Sequence, residues 1–150
     1  MTKFVLFVCT ANMCRSPMAE GLFNKVLEAH GKGDRIIARS AGVNANDGSG
    51  ATQEAVDVMA ERGVDISLHR SRMITKAIVD GSMLIACMTK KHKDMVTAFF
   101  PESKNKVFML SEIAEGKIED VPDPVYNGID RYRSIADLLQ GYLDKMVEKV

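Results

Sequence analysis

The sequence predicts an α/β fold: one domain over residues 1–150, with a four-stranded parallel sheet and helices on both of its faces. Two observations lead to this prediction. Four short apolar runs alternate with helical patterns along the chain, which is the order typical of strand–helix–strand units. The first run, residues 4–8, is apolar throughout, as in a strand whose two faces are both buried. A chain of 150 residues with 46% hydrophobic residues can bury one sizeable core.

The individual elements follow from apolar periodicity and from the residues that end each run. Strands are predicted over residues 4–8, 35–43, 83–87 and 106–110. Helices are predicted over residues 16–30, 52–63, 74–79, 89–101, 111–116 and 130–150. Ser16 and Pro17 are residue types that favour a helix start, so we expect Ser16 to cap the first helix. The helix over residues 89–101 is expected to direct four polar side chains toward solvent: Lys90, Lys91, His92 and Lys93.

Composition excludes several classes of partner. The chain has 20 Lys plus Arg and 20 Asp plus Glu, so its zero net charge gives no reason to expect a nucleic acid or an anionic membrane. No apolar run approaches the roughly 20 residues of a membrane span. The three cysteines lack both a disulfide framework and zinc-like spacing. We therefore expect a cytoplasmic protein, a monomer or weak dimer, without metal or other cofactor.

The loop between the first strand and the first helix carries the chemistry. It runs from Cys9 to Arg15 through Thr10, Ala11, Asn12, Met13 and Cys14. Backbone N–H groups in such a loop, together with the helix dipole, suit a phosphate dianion. Arg15 can supply a planar fork of donors to two phosphate oxygens. The same positive field favours the thiolate form of Cys9, so the loop predicts phosphoryl transfer through a cysteinyl-phosphate.

Either residue alone has a simpler interpretation. A cysteine that ends an apolar strand is usually a small buried hydrophobe, and an arginine near a helix start is usually solvated. The combination of strand, Cys-x5-Arg-Ser, proline and helix is much more specific, and it favours the catalytic interpretation.

Residues 9–20 resemble the active-site signature of the low-molecular-weight protein tyrosine phosphatases. The similarity continues through residues 40–43, residues 63–72 and the pair Asp123-Pro124. The resemblance implies the doubly wound fold of that family and a phosphorylated protein as substrate.

The resemblance also implies roles for residues around the loop. The Ser16 hydroxyl would donate to the Cys9 sulfur and stabilise it as a leaving group. Asn12, at a position where a left-handed backbone is expected, would be held by polar contacts from Ser16, Ser40 and His69. Oxidants can reversibly join the matching cysteine pair in the family, which gives Cys14 a redox role; simple packing is the alternative.

Asp123 is the candidate general acid and base. Protonation of the leaving group in the transition state contributes about 10²–10⁴-fold in rate. An Asp-Pro pair is also a common turn, so this assignment depends on the match to the family's C-terminal Asp-Pro. Asp120 is the alternative in the same loop.

Two departures from the family pattern concern the pocket wall. Where many members have two tyrosines after Asp-Pro, this chain has Val125 and Tyr126, and Asn46 stands where many have Trp or Tyr. An aromatic substrate would therefore stack less well, which predicts modest activity or an unusual substrate.

The substrate itself has two candidates. One branch of the family hydrolyses phosphoarginine in proteins, and residues 88–93 and 106–110 resemble that branch. Its loop carries a threonine before the second cysteine, whereas this chain has Met13, closer in bulk to the isoleucine of the tyrosine-specific branch. We therefore expect phosphotyrosine, with phosphoarginine as the alternative.

Two further alternatives carry less weight. A thiol-dependent arsenate reductase shares the loop and fold but needs two more redox cysteines, and only Cys87 lies in that region. A non-catalytic phospho-ligand binding module is expected to lack the nucleophile or the acid, whereas Cys9, Arg15 and Asp123 are all present.

Overall fold

A computed structural model describes residues 1–150, and it contains one parallel sheet of four strands in the order β2-β1-β3-β4. The strands are β1 (Lys3–Cys9), β2 (Ile36–Gly42), β3 (Leu84–Cys87) and β4 (Val107–Met109). Six α-helices alternate with them: α1 (Arg15–Ala29), α2 (Gln53–Glu61), α3 (Lys76–Asp80), α4 (Lys90–Phe99), α5 (Leu110–Glu115) and α6 (Ile129–Met146). Two 3₁₀ turns cover Pro101–Lys106 and Val147–Lys149. The predicted fold class is confirmed, with every element in the predicted order.

Side chains that alternate along β1 divide the interior into two cores. Val5 and Phe7 belong to the larger core, which α1, α2, α5 and α6 cover. Leu6 and Val8 belong to a smaller core on the opposite face, beneath α3 and α4. Because all of these side chains are fully buried, β1 is the central strand of a sheet covered on both faces. No helix of the structure combines the length and the apolar character that a bilayer crossing demands.

The loop over residues 9–15 leaves the carboxyl end of β1, the strand on either side of which the chain places β2 and β3. β2 pairs with one edge of β1 and β3 with the other, and parallel strands place their carboxyl ends at the same edge of the sheet. The crevice at the carboxyl ends of strands that diverge in this way is the usual ligand site of doubly wound folds. The chain after β2 holds the loop in place, since the Val43 and Asn44 N–H groups donate to the Cys9 and Thr10 carbonyls at 3.0 and 2.9 Å.

Two local expectations are wrong. Helix α1 begins at Arg15 with Cys14 at the N-cap, so Ser16 lies inside the first turn and does not cap it; Pro17 is the third helical residue. His92 does not point to solvent, because it is only 3% exposed and faces the functional loop. In both cases the side chain contacts the loop over residues 9–15 instead of taking the position that the local sequence pattern predicted. Ser16 contacts Cys9, and His92 contacts Thr10.

Candidate active site

The phosphate loop (residues 9–15) connects β1 to α1 and lines a cavity. Asn12 has a φ of 59°, the left-handed conformation expected from the sequence. None of the N–H groups from residue 10 to residue 15 donates to a protein acceptor. Unpaired backbone donors ahead of a helix N-terminus form an anion-binding concavity.

Asn12 holds the loop through three contacts, and its side chain is fully buried. Its Nδ2 donates to Ser16 Oγ at 2.8 Å, and its Oδ1 accepts from the Arg72 backbone N–H at 3.0 Å. His69 Nε2 lies 2.8 Å from the Asn12 carbonyl oxygen. Because an N–H faces Oδ1 and a hydroxyl oxygen faces Nδ2, the amide has one consistent orientation.

Ser40 does not contact Asn12, which corrects the expected set of loop supports. Its hydroxyl donates to Glu20 Oε1 at 2.7 Å, and its carbonyl accepts from Arg72 Nε at 3.0 Å. Arg72 in turn donates to Asn12 through its backbone. The side-chain link from Ser40 to Asn12 therefore passes through Arg72, a residue that sequence reasoning missed.

Cys9 lies at the floor of the site, 3% exposed, with its sulfur 2.9 Å from Ser16 Oγ. The Ser16 oxygen already accepts from Asn12 Nδ2, so its own hydrogen is available to donate to the sulfur. The geometry thus matches the expected contact between Ser16 and the nucleophile.

Arg15 is 5% exposed, and its guanidinium contacts the loop that precedes α6. Its Nη1 donates to the Val121 carbonyl at 3.0 Å, and its Nη2 lies 3.8 Å from Asp123 Oδ2. The remaining guanidinium donors are free for an anion over the phosphate loop. Val121 N also donates to the Met88 carbonyl at 2.8 Å, which ties this loop to the end of β3.

Asp123 borders the site with a half-exposed carboxylate. Its Oδ1 accepts from the Val125 N–H at 3.1 Å, which leaves Oδ2 to face Arg15. Asp120, the alternative acid, instead accepts from the Lys90 N–H at 2.9 Å at the start of α4. The structure therefore brings Asp123 rather than Asp120 to the arginine.

A cavity of about 410 Å³ opens above the phosphate loop. Its walls include Met13, Glu54, Val125 and Tyr126. Asn46 does not line it; this residue is exposed in the loop after β2, where its carbonyl accepts from Ser71 Oγ. The expectation that Asn46 forms a pocket wall is wrong, and Glu54 on α2 was not foreseen.

Cys14 belongs to a buried polar cluster at the side of the same cavity. Its sulfur lies 3.3 Å from Tyr132 Oη and 3.6 Å from Thr52 Oγ1, and Thr52 donates to Tyr132 at 3.1 Å. Burial raises the pKa of the Cys14 thiol, which opposes its ionisation. All three cysteines are free thiols, and the pairing of Cys14 with Cys9 under oxidants stays a prediction.

His92 is the second functional neighbour that sequence reasoning missed. Its Nε2 lies 2.8 Å from Thr10 Oγ1, across a separation of 82 residues. The signal was present only as one histidine among three lysines, which is also the pattern of a solvated helix face.

No group of three or more His, Cys, Asp or Glu side chains is arranged to hold a metal ion.

The family model for low molecular weight phosphotyrosine protein phosphatase matches residues 4–150 of this chain. The chain belongs to that family. Cys9, Arg15 and Asp123, the three residues expected to carry the chemistry, line the same cavity.

Relatives within the phosphatase family carry two kinds of name. A protein-arginine-phosphatase of Geobacillus stearothermophilus is 40% identical over 97% of this chain and 95% of its own length. One of Bacillus subtilis is 36% identical over 97% and 95%. A low molecular weight protein tyrosine phosphatase from T. tengcongensis superposes with a TM-score of 0.94 at 41% identity, covering 99% of this chain and 100% of that structure.

Proposed function

We propose that this phosphatase removes the phosphoryl group from phosphoarginine in proteins, with Cys9 as nucleophile. The sequence pattern favoured phosphotyrosine, but two relatives at 36–40% identity are named protein-arginine phosphatases. The observation that carries the proposal is the Glu54 carboxylate, which lies in the lining of the same cavity as Cys9 and the proposed acid Asp123. A guanidinium leaving group is a planar cation that pairs with carboxylates, whereas a phenol offers them no positive charge.

In the first step, the Cys9 sulfur attacks phosphorus while the bond from phosphorus to the guanidinium nitrogen breaks. Arg15 and the backbone N–H groups of the phosphate loop bind the phosphoryl oxygens, where negative charge is distributed in the transition state. Asp123, 3.8 Å from the Arg15 guanidinium, donates its proton to the departing nitrogen. The products are a cysteinyl-phosphate, the Asp123 carboxylate and an arginine side chain with a protonated, positively charged guanidinium.

In the second step, water attacks the cysteinyl-phosphate. The carboxylate of Asp123 takes the proton of that water as the sulfur–phosphorus bond breaks, and inorganic phosphate forms. The sulfur leaves as a thiolate, which the hydroxyl of Ser16 at 2.9 Å stabilises. Each residue then returns to its starting protonation state.

Phosphotyrosine is the second candidate, and Met13 favours it. Its side chain lies in the cavity lining where the arginine-specific branch has a threonine, and it offers an apolar surface to an aromatic ring. Tyr126 adds one aromatic side chain to the same lining.

The test is kcat/KM on two peptides of the same sequence, one with phosphoarginine and one with phosphotyrosine. We expect the wild type to prefer phosphoarginine. The Glu54→Gln variant is expected to lose about 10-fold on phosphoarginine and little on phosphotyrosine, because only the guanidinium pairs with the carboxylate. Asp57→Asn, an exposed carboxylate on the same helix, is the matched control. A wild type that prefers phosphotyrosine contradicts the proposal and supports the second candidate.

A further inference from the structure

His92 lies in the first turn of α4, and one of its ring nitrogens makes a hydrogen bond whereas the other has no partner. The residue is 3% exposed, and its Nε2 lies 2.8 Å from Thr10 Oγ1 in the phosphate loop. Its Nδ1 is the one buried side-chain nitrogen or oxygen in the structure with no hydrogen-bond partner. This unpaired atom determines how the histidine and the threonine share their hydrogens.

A neutral histidine carries its hydrogen on one of its two nitrogens. A hydrogen on Nδ1 would bury an N–H group with no acceptor, and orphaned buried N–H groups are rare. A hydrogen on Nε2 leaves only an unpaired lone pair at Nδ1, which costs less free energy than a buried N–H group without an acceptor. His92 Nε2–H therefore donates to Thr10 Oγ1.

This direction of donation leaves the Thr10 hydroxyl hydrogen free. Thr10 lines the cavity beside Cys9 and Arg15. Among the other hydroxyl groups of the lining, those of Thr52 and Tyr132 bond to each other beside Cys14, and that of Tyr126 belongs to an exposed side chain. Met13 contributes no hydroxyl, so Thr10 is the side chain of the phosphate loop that can offer an O–H to the site.

We propose that the Thr10 hydroxyl donates a hydrogen bond to a phosphoryl oxygen of the substrate, and that His92 is the positioning residue that aims it. The inference rests on the Cys9-dependent phosphatase reaction proposed above, and it holds for either protein substrate. His92 acts only through Thr10, because the hydrogen bond of its ring goes to the threonine and the histidine itself does not line the cavity.

The experiment measures kcat/KM for para-nitrophenyl phosphate in four single variants at Thr10 and His92 and in one control variant. Thr10→Val keeps the shape and removes the hydroxyl, and His92→Leu removes the donor. Each is expected to lose about 10-fold, as for one hydrogen bond to a charged group. Thr10→Ser and His92→Gln each keep a donor at the position in question, and both are expected to recover most of that loss. Thr97→Val, on α4 with its hydroxyl bonded to its own helix, is the matched control.

The double variant Thr10→Val/His92→Leu separates positioning from a merely structural role. If His92 acts through Thr10, the double variant is no worse than Thr10→Val alone. Losses that multiply overturn the inference, as does a wild-type kcat/KM in either single variant.

A measurement on the unaltered protein covers the case in which a variant fails to fold. Nitrogen-15 correlation spectra of the His92 ring at neutral pH are expected to show the Nε2–H tautomer. An Nδ1–H tautomer overturns the inference. A wild type that does not hydrolyse the ester, or a Cys9→Ser variant that does, contradicts the Cys9-dependent phosphatase reaction instead, so the two failures are distinguishable.

Discussion

The sulfur of Cys9 and the hydroxyl oxygen of Ser16 lie 2.9 Å apart at the buried floor of the site. Because Asn12 donates to the same oxygen, the serine hydrogen is directed to the sulfur. A donor placed there stabilises a thiolate both before attack and when it leaves the cysteinyl-phosphate.

Ser16→Ala is therefore expected to slow breakdown of the cysteinyl-phosphate more than its formation. Loss of a hydrogen bond to a charged sulfur predicts a fall in kcat of roughly 10- to 100-fold. Rapid-quench kinetics is expected to show a burst of leaving group followed by a slow steady state. Ser134→Ala, on the exposed face of α6, serves as the control. An unchanged kcat without a burst contradicts the role of Ser16.

Asp123→Asn is expected to lower kcat by about 10²–10⁴-fold, because an amide cannot protonate the leaving group. The loss is expected to increase with the basicity of the leaving group in a series of aryl phosphates. Asp120→Asn, three residues earlier, is the matched control and is expected to alter mainly the start of α4, where Asp120 accepts from Lys90. The opposite ranking of the two variants would assign the acid to Asp120.

Gly42→Ala is expected to reduce activity through the backbone alone. A Cβ at Gly42 would overlap the Thr10 carbonyl oxygen and lie 3.0 Å from the Asn12 nitrogen, so the phosphate loop has to shift. A displacement of about 1 Å in catalytic groups can cost about 100-fold in rate.

Gly141→Ala is the control for that substitution. Gly141 lies in α6, where a Cβ would meet no other atom within 4 Å, and alanine there is expected to raise the free energy of unfolding by about 0.5–1 kcal/mol. Activity and thermal unfolding are measured on both variants. Equal activity in the two would show that the loop tolerates the shift.

The stability of the protein is expected to fall at acid pH through His92. Burial, followed by the positive charge of Arg15, lowers the pKa of His92 from its usual 6.5 to about 4. Between those values the unfolded chain binds a proton at His92 that the folded protein does not, so the free energy of unfolding decreases as pH falls from 6.5 to about 4.

Comparison with His92→Gln isolates this contribution, since glutamine does not titrate. Relative to that variant, the wild type is expected to lose about 3 kcal/mol of unfolding free energy between pH 7 and pH 4, from the relation of about 1.4 kcal/mol per pKa unit. Denaturant titrations at several pH values provide the measurement. Parallel pH profiles for the two proteins would show that His92 titrates alike in the folded and unfolded states.

Local patterns along the chain were sufficient to predict the fold class and the centre of the site. Alternating apolar runs and helical patterns predicted the parallel sheet, because that periodicity is a property of each segment alone. Cys9 and Arg15 are close along the chain, so strand, loop and helix start place them together whatever the rest of the fold does. The left-handed Asn12 was predictable for the same local reason.

The distant side chains that reach that loop could not be predicted before the packing of the elements was known. His92 meets Thr10 across 82 residues, and Tyr132 meets Cys14 across 118. Neither contact has a local signature, because it depends on strand order and on the rotation of α4 and α6 about their axes. The contact of Ser40 with Glu20 likewise depends on how α1 packs against β2, and the position of Asn46 outside the cavity depends on the path of the loop after β2. A residue's position in the sequence specifies its element, whereas packing between elements specifies the direction its side chain faces.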